Sequence, residues 1–164
     1  MTMARVRLSD GQELHAVNDL FVGPRSHTSL RYEIEFGSKR EVQSSSGLIV
    51  STGLGSTGWL KSVLAGSSAI ARDLVGARGG DVPGPMPWSD RKLVFVVREP
   101  FPSRSSQATV VSGRIGAKDR LRVRSHAPEN GVIFSDGMEA DYLQFPAGTL
   151  ADIGVAERRG RLVG

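Results

Sequence analysis

Helical periodicity occurs only once in this chain, and that rules out most architectures. Trp59, Leu60, Val63 and Leu64 recur at the spacing of one helix face. Elsewhere the apolar residues fall in short runs. In "SLRYEIEF", Leu30, Tyr32, Ile34 and Phe36 alternate with polar neighbours, as in a strand with one buried face. The segments "ARVRLS", "KREVQ", "GLIVST", "KLVFVVRE", "ATVVSGRI", "DRLRVRS", "GVIFSD", "DYLQF" and "TLADIGV" read as further strands, and "QELHAVNDLFVG" as one extended stretch. Asp10-Gly11 and Asp136-Gly137 supply hairpin turns, and residues 76–90 read as a loop. A parallel sheet needs a crossover, usually a helix, between successive strands, and one helix cannot supply them. The pattern predicts a single mainly β domain over 1–164, a two-sheet antiparallel sandwich with one central helix.

Composition narrows the partners. There is no cysteine, so neither a disulfide frame nor a thiolate metal site is available. His15, His27 and His126 are scattered without ligand spacing, and no metal site is expected. The longest aliphatic or aromatic run, Leu93 to Val97, falls far short of the roughly 20 residues a membrane span needs. The first residues, "MTMARVRLSDG", contain no apolar segment of the secretory type, so a cytoplasmic location is expected. Net charge is +4 and the pI is near 10.0, which suits phosphorylated or otherwise anionic partners. The basic residues are dispersed, and no RNA-binding aromatic motif accompanies them, so nucleic acid is not the expected partner.

The chemistry-bearing stretch is "SSSGLIVSTGLGSTGWLKSV", residues 44–63, where an aliphatic run enters a Ser/Thr/Gly knot and a helix follows. Gly53-Leu54-Gly55-Ser56-Thr57-Gly58 spells GxGxxG. A dinucleotide fingerprint, however, needs a second strand carrying an acid about 20 residues on. Asp73 has the right count but lies in "AIARDLV", which continues the helix. A phosphate loop of the nucleoside-triphosphatase type needs Lys where Trp59 stands, and a hydrolase elbow needs Gly two residues before Ser56. What remains is a strand ending in a hydroxyl-rich turn that opens a helix, with Ser56 or a neighbour as N-cap. Such a turn is either an ordinary strand–helix connection or a place for a phosphate or ribose.

The segment "GLIVSTGLGSTGW" resembles the signature of the NAD kinase superfamily, in which Ser-Thr-Pro-Thr-Gly-Ser-Thr-Ala-Tyr follows an aliphatic run. "AVNDLFVG", residues 16–23, resembles that family's upstream Asn-Glu motif, and Asp136-Gly137 its late Asp-Gly hairpin. Order and spacing agree over roughly residues 14–155. The chain departs from the family pattern at Ser46, where the family has an acid, at Asp19 for Glu, at Gly53 for Pro and at Leu54 for a hydroxyl residue.

The resemblance implies the C-terminal, substrate-binding β-sandwich domain of an NAD kinase-like phosphotransferase. Such an enzyme moves phosphate from ATP or another donor to a ribose or polyol hydroxyl, most simply that of NAD. Asn18 and Asp19 would then hold ribose and phosphate oxygens, Thr57 would lie near the adenine, and Gly58 and Trp59 would pack against the nucleotide. Ser46 and Ser56 complete the expected substrate-binding set. The family's catalytic Gly-Gly-Asp-Gly-Thr is missing, since Gly79-Gly80-Asp81 runs on into Val-Pro, so no catalytic residue is expected here. The resemblance thus implies a separate N-terminal kinase domain as partner. ATP and Mg2+ would serve the intact enzyme and neither would be held tightly by this domain. It also implies a homo-oligomer, for which the loop bearing Met86 and Trp88 is the apolar candidate contact. A non-catalytic nucleotide-binding or scaffold module, or a related sugar or lipid kinase, is the alternative.

Overall fold

The computed structural model describes residues 1–78 and 80–161. Gly79, the first residue of Gly79-Gly80-Asp81, lies outside the described residues. Twelve strands form, named in chain order: β1 (Thr2–Leu8), β2 (Glu13–Ala16), β3 (Asp19–Pro24), β4 (Leu30–Phe36), β5 (Lys39–Ser45), β6 (Leu48–Ser51), β7 (Lys92–Val97), β8 (Ser112–Gly116), β9 (Leu121–Ser125), β10 (Gly131–Ser135), β11 (Met138–Gln144) and β12 (Leu150–Arg159). They make two six-stranded antiparallel sheets, one ordered β2-β1-β12-β9-β4-β5 and the other β11-β10-β3-β6-β7-β8. The helix α1 (Trp59–Ile70) continues as a π turn over Ala71–Val75 and stops at Gly76, whose φ of 69° ends it in the left-handed region.

The alternation seen in the sequence decides the packing. Val6 and Leu8 of β1, Leu20 and Val22 of β3, and Tyr32 and Ile34 of β4 point between the sheets. Leu93 and Phe95 of β7, Leu121 and Val123 of β9, and Ile153 of β12 join them in one core. A second, smaller cluster lies on the far side of the second sheet. There Phe21, Ile49 and Val96 lie under Leu60 of α1, with Val63 and Leu64 packed beside them. The helix therefore covers one outer face, and only Leu60 among its residues is fully buried.

The outer face of the first sheet carries charge instead. Strand register lines up Glu13, Arg7, Asp152, Arg122, Glu35 and Arg40 across all six strands, acid alternating with base. Arg7 lies 2.9 Å from Glu13, and Arg122 reaches Asp152 at 3.3 Å and Glu35 at 3.5 Å. Each pair is solvent-exposed and weak alone, but the row fixes register, because a one-residue slip would oppose charge to core.

Three expectations change. "QELHAVNDLFVG" is not one extended stretch: β2 and β3 belong to different sheets, and the chain crosses between them at Val17 and Asn18. "ATVVSGRI" becomes a strand only from Ser112, because Thr109 and Val110 are drawn aside by Glu41. Ser56 does not cap α1. The cap position is Gly58, and no side chain bonds there.

Glu41, 6% exposed on the edge strand β5, accepts hydrogen bonds from the Thr109 and Val110 N–H groups, the Thr109 hydroxyl and the Gln43 amide. Burial works to raise its pKa. The hydrogen bonds from Thr109, Val110 and Gln43 outweigh that and hold the carboxyl below 4.5. Its stabilisation is therefore present above pH 4.5 and is lost as pH falls through the lowered value. Glu41→Ala should cost about 2–4 kcal/mol at pH 7 by urea denaturation. The gap to the parent should narrow in acid.

Candidate functional site

The crossing from β2 to β3 creates a local problem. Val17, Asn18 and Asp19 turn from one sheet to the other, and their three N–H groups need acceptors. The carboxylate of Asp136 supplies them all, at 2.9 Å from Val17, 2.6 Å from Asn18 and 3.2 Å from Asp19. Its own N–H donates back to the Asp19 carbonyl at 2.9 Å. Asp136 can face this way because it sits with φ 52° in the β10–β11 hairpin, followed by Gly137 at 69°. Asp and Gly tolerate that conformation better than most residues.

The Ser/Thr/Gly knot closes on the same crossing. Asp19 pairs with Ser51 across β3 and β6, although 32 residues separate them in sequence. Thr52 donates its N–H to the Asn18 carbonyl at 2.9 Å and its hydroxyl to the Val17 carbonyl at 2.5 Å. The same hydroxyl accepts the Gly55 N–H at 3.2 Å. A Cβ on Gly55 would collide with the Asn18 carbonyl group, and its next neighbour would be the Ser51 hydroxyl at 2.9 Å. Gly53 is fixed in the same way against the Pro87 carbonyl. Both glycines are thus required by close backbone approach. Ser56 donates its hydroxyl to the Gly53 carbonyl at 2.7 Å and accepts the Met86 N–H at 3.0 Å. That double bond pattern is why it is not free to cap the helix.

Asn18, Asp19 and the knot from Thr52 to Gly55 therefore meet at one end of β3 and β6, with Ser56, Thr57 and Gly58 following in the chain, whereas the Trp59 ring reaches along β3 to Phe21 and Arg98. Thr57 and Gly58 are exposed, and the first N–H groups of α1 have neither intrahelical acceptors nor a capping side chain. Trp59 is 36% exposed and stacks on Phe21 with ring centres 5.4 Å apart, while the Arg98 guanidinium lies 5.3 Å from its centre. Phe21 continues the stack to Phe134 at 6.2 Å. Trp59 is thus shared between core and surface. Ser46 stands apart, before β6 at the opposite end from the knot, with its hydroxyl on the Glu99 carboxylate.

Asp19 is the chemically unusual group. It is 9% exposed, and its carboxylate accepts no hydrogen bond from the described residues. Burial, and then the like charge of Asp136, hold its pKa above 3.8. The described protein groups give it no donor, and its oxygens remain open to solvent. Sequence reasoning singled out Asp19 as a candidate but not Thr52 or the anchoring role of Asp136. The latter was visible only as a hairpin turn, because its three partners lie some 118 positions upstream. Among the described residues, no group of three or more His, Asp or Glu is arranged to hold a metal ion.

Two outcomes test this geometry. Asp19 ionised in the fold costs stability as pH rises from 3.8 through its raised value, so Asp19→Asn should raise the melting temperature at pH 7. The gain should vanish near pH 3. Gly55→Ala should destabilise by about 1–3 kcal/mol through the clash with Asn18. Gly58→Ala, whose Cβ would meet only the Gly55 oxygen at 3.4 Å, should be far milder by thermal melting.

No protein-family model and no curated protein sequence matches the chain. Solved structures do. The crystal structure of yeast NADH kinase complexed with NADH superposes with a TM-score of 0.64 at 16% identity, covering 94% of this chain and 40% of that one. An NAD kinase from Archaeoglobus fulgidus in complex with ATP gives 0.60 at 19% identity, covering 96% of this chain and 52% of that one. The chain thus spans about half the length of these proteins or less. No helix among the described residues is long and apolar enough to cross a membrane. The two antiparallel sheets, the one α-helix among the described residues and these superpositions together show that the chain has an NAD kinase-like β-sandwich fold.

Proposed function

We infer that this chain is the substrate-binding part of an NAD kinase-like phosphotransferase and that its knot receives a ribose-bearing dinucleotide, NAD in the first instance. The observation that carries this reading is Asp19. This residue is only 9% exposed, lies beside a second carboxylate and has no donor from the described residues, yet its carboxylate oxygens still open to solvent, where a ligand's donors can reach them. Two adjacent ribose hydroxyls would supply the donors it lacks. Around it, Asn18 offers both a donor and an acceptor, and the uncapped start of α1 offers N–H groups to phosphate oxygens. The exposed part of Trp59 adds an apolar wall.

Phosphoryl transfer to such a hydroxyl needs a base within about 3 Å of it. Asp136 is a poor candidate, since three N–H groups already occupy its oxygens. The base would belong to an N-terminal kinase domain, as would most contacts to ATP. The described residues offer no acidic cluster for Mg2+, so that ion would sit with the donor phosphates and the other domain. What this chain contributes is binding and orientation of the acceptor. Self-association through the loop around Trp88, which is 49% exposed, belongs to the same proposal.

Calorimetric titration with NAD tests the reading. Asp19→Ala should weaken binding by about 1–3 kcal/mol while the fold persists. Unchanged affinity would remove the ribose from this site. The chain with ATP and Mg2+ but no kinase domain should form no NADP, and robust formation would place a catalytic base here after all.

A further inference from the structure

A second concavity opens on the outer face of the second sheet, away from Asp19. It lies between α1, strands β7 and β8, and the loop residues Pro83, Gly84 and Met86, with a volume of about 220 Å³. Its floor is Val94 and Val96 and its side wall is Leu60 and Leu64, all apolar. One cation stands among the lining residues. Arg114 pairs with Val94 across β7 and β8, so it shares the floor's face, and it forms no hydrogen bond or ion pair with the described residues. No acid lines the cavity. The roof is loosely tied: Met86 is held by Ser56, whereas residues 80–85 make no hydrogen bond to the described residues.

We propose that this cavity binds a small amphipathic monoanion, with an aliphatic chain against Leu60, Leu64, Val94 and Val96 and a carboxylate at Arg114. Volume sets the size. At roughly 30 Å³ per water-sized group it holds about seven non-hydrogen atoms, which suits the tail of a six-carbon fatty acid with its headgroup at the mouth. Charge sets the sign, because Arg114 is the only ionisable side chain in the lining and is permanently cationic. The site also touches the knot. Ser56 forms part of its wall while bonding both Gly53 and Met86, so a ligand here presses on the same loop that fixes Gly53.

The experiment is a titration of the chain with sodium butanoate, hexanoate and decanoate, followed by amide chemical shifts. Hexanoate should bind saturably and shift Leu60, Leu64, Val94 and Ser112. Affinity should rise about fourfold per CH₂ from butanoate to hexanoate and then level off. Arg114→Gln should lower hexanoate affinity at least fivefold, and hexyltrimethylammonium should bind poorly. Leu64→Phe, which fills the space, should abolish binding by a second route. Absence of saturable binding, shifts confined to other surfaces, affinity that keeps climbing to decanoate, or indifference to both substitutions would overturn the proposal. None of these readouts involves NAD.

Discussion

One carboxylate holds the candidate site together. Asp136 gathers the N–H groups of Val17, Asn18 and Asp19 and returns its own N–H to Asp19. That bonding lets the chain pass from one sheet to the other without stranding the part-buried N–H groups of Val17 and Asp19. It also fixes the Asn18 carbonyl, on which Thr52 leans and against which Gly55 packs. Hairpin, crossing and knot come from three distant parts of the chain, and each takes its position from the other two.

The two outer faces show how one architecture can present unlike surfaces. On the first sheet, acids and bases alternate in a row that water screens, and its value lies in register. On the second, Phe21 is flanked by Trp59 and Phe134, and Phe134 by Tyr142, with Arg98 and Arg25 against the outermost rings. Such stacks and cation–π contacts hold the start of α1 where no capping side chain does. The helix needs this help, since it is exposed along most of its length.

Much of this was legible from periodicity. The alternation in "SLRYEIEF" and its counterparts gave the strands, because a half-buried sheet forces it. The change of period at Trp59 located the helix. What the sequence concealed were choices made over long separations. Nothing local says that Ala16 and Asp19 belong to different sheets, since both flanking runs look extended. Nothing local says that Ser56 prefers Gly53 and Met86 to the helix cap, since its rival partner sits 30 positions later. The GxGxxG spelling was misleading for a related reason: Gly53 and Gly55 are required by the Pro87 and Asn18 carbonyls, which the spacing alone cannot reveal.

The position of β12 has a consequence for how the molecule is made. It lies between β1 and β9, and only through it is the β2–β1 pair joined to the β9-β4-β5 group. Until residues 150–159 arrive, the first sheet is two fragments with open edges facing one another across a vacant slot. Pairing between the first and last strands is also the most distant in sequence that the fold contains, and such closures are slow. During synthesis the β3-β6-β7-β8 part of the second sheet can assemble once residue 116 has emerged, while the first sheet waits for residues 150–159. An edge left open that long invites foreign strands, so the protein's need for protection from aggregation is concentrated in that interval.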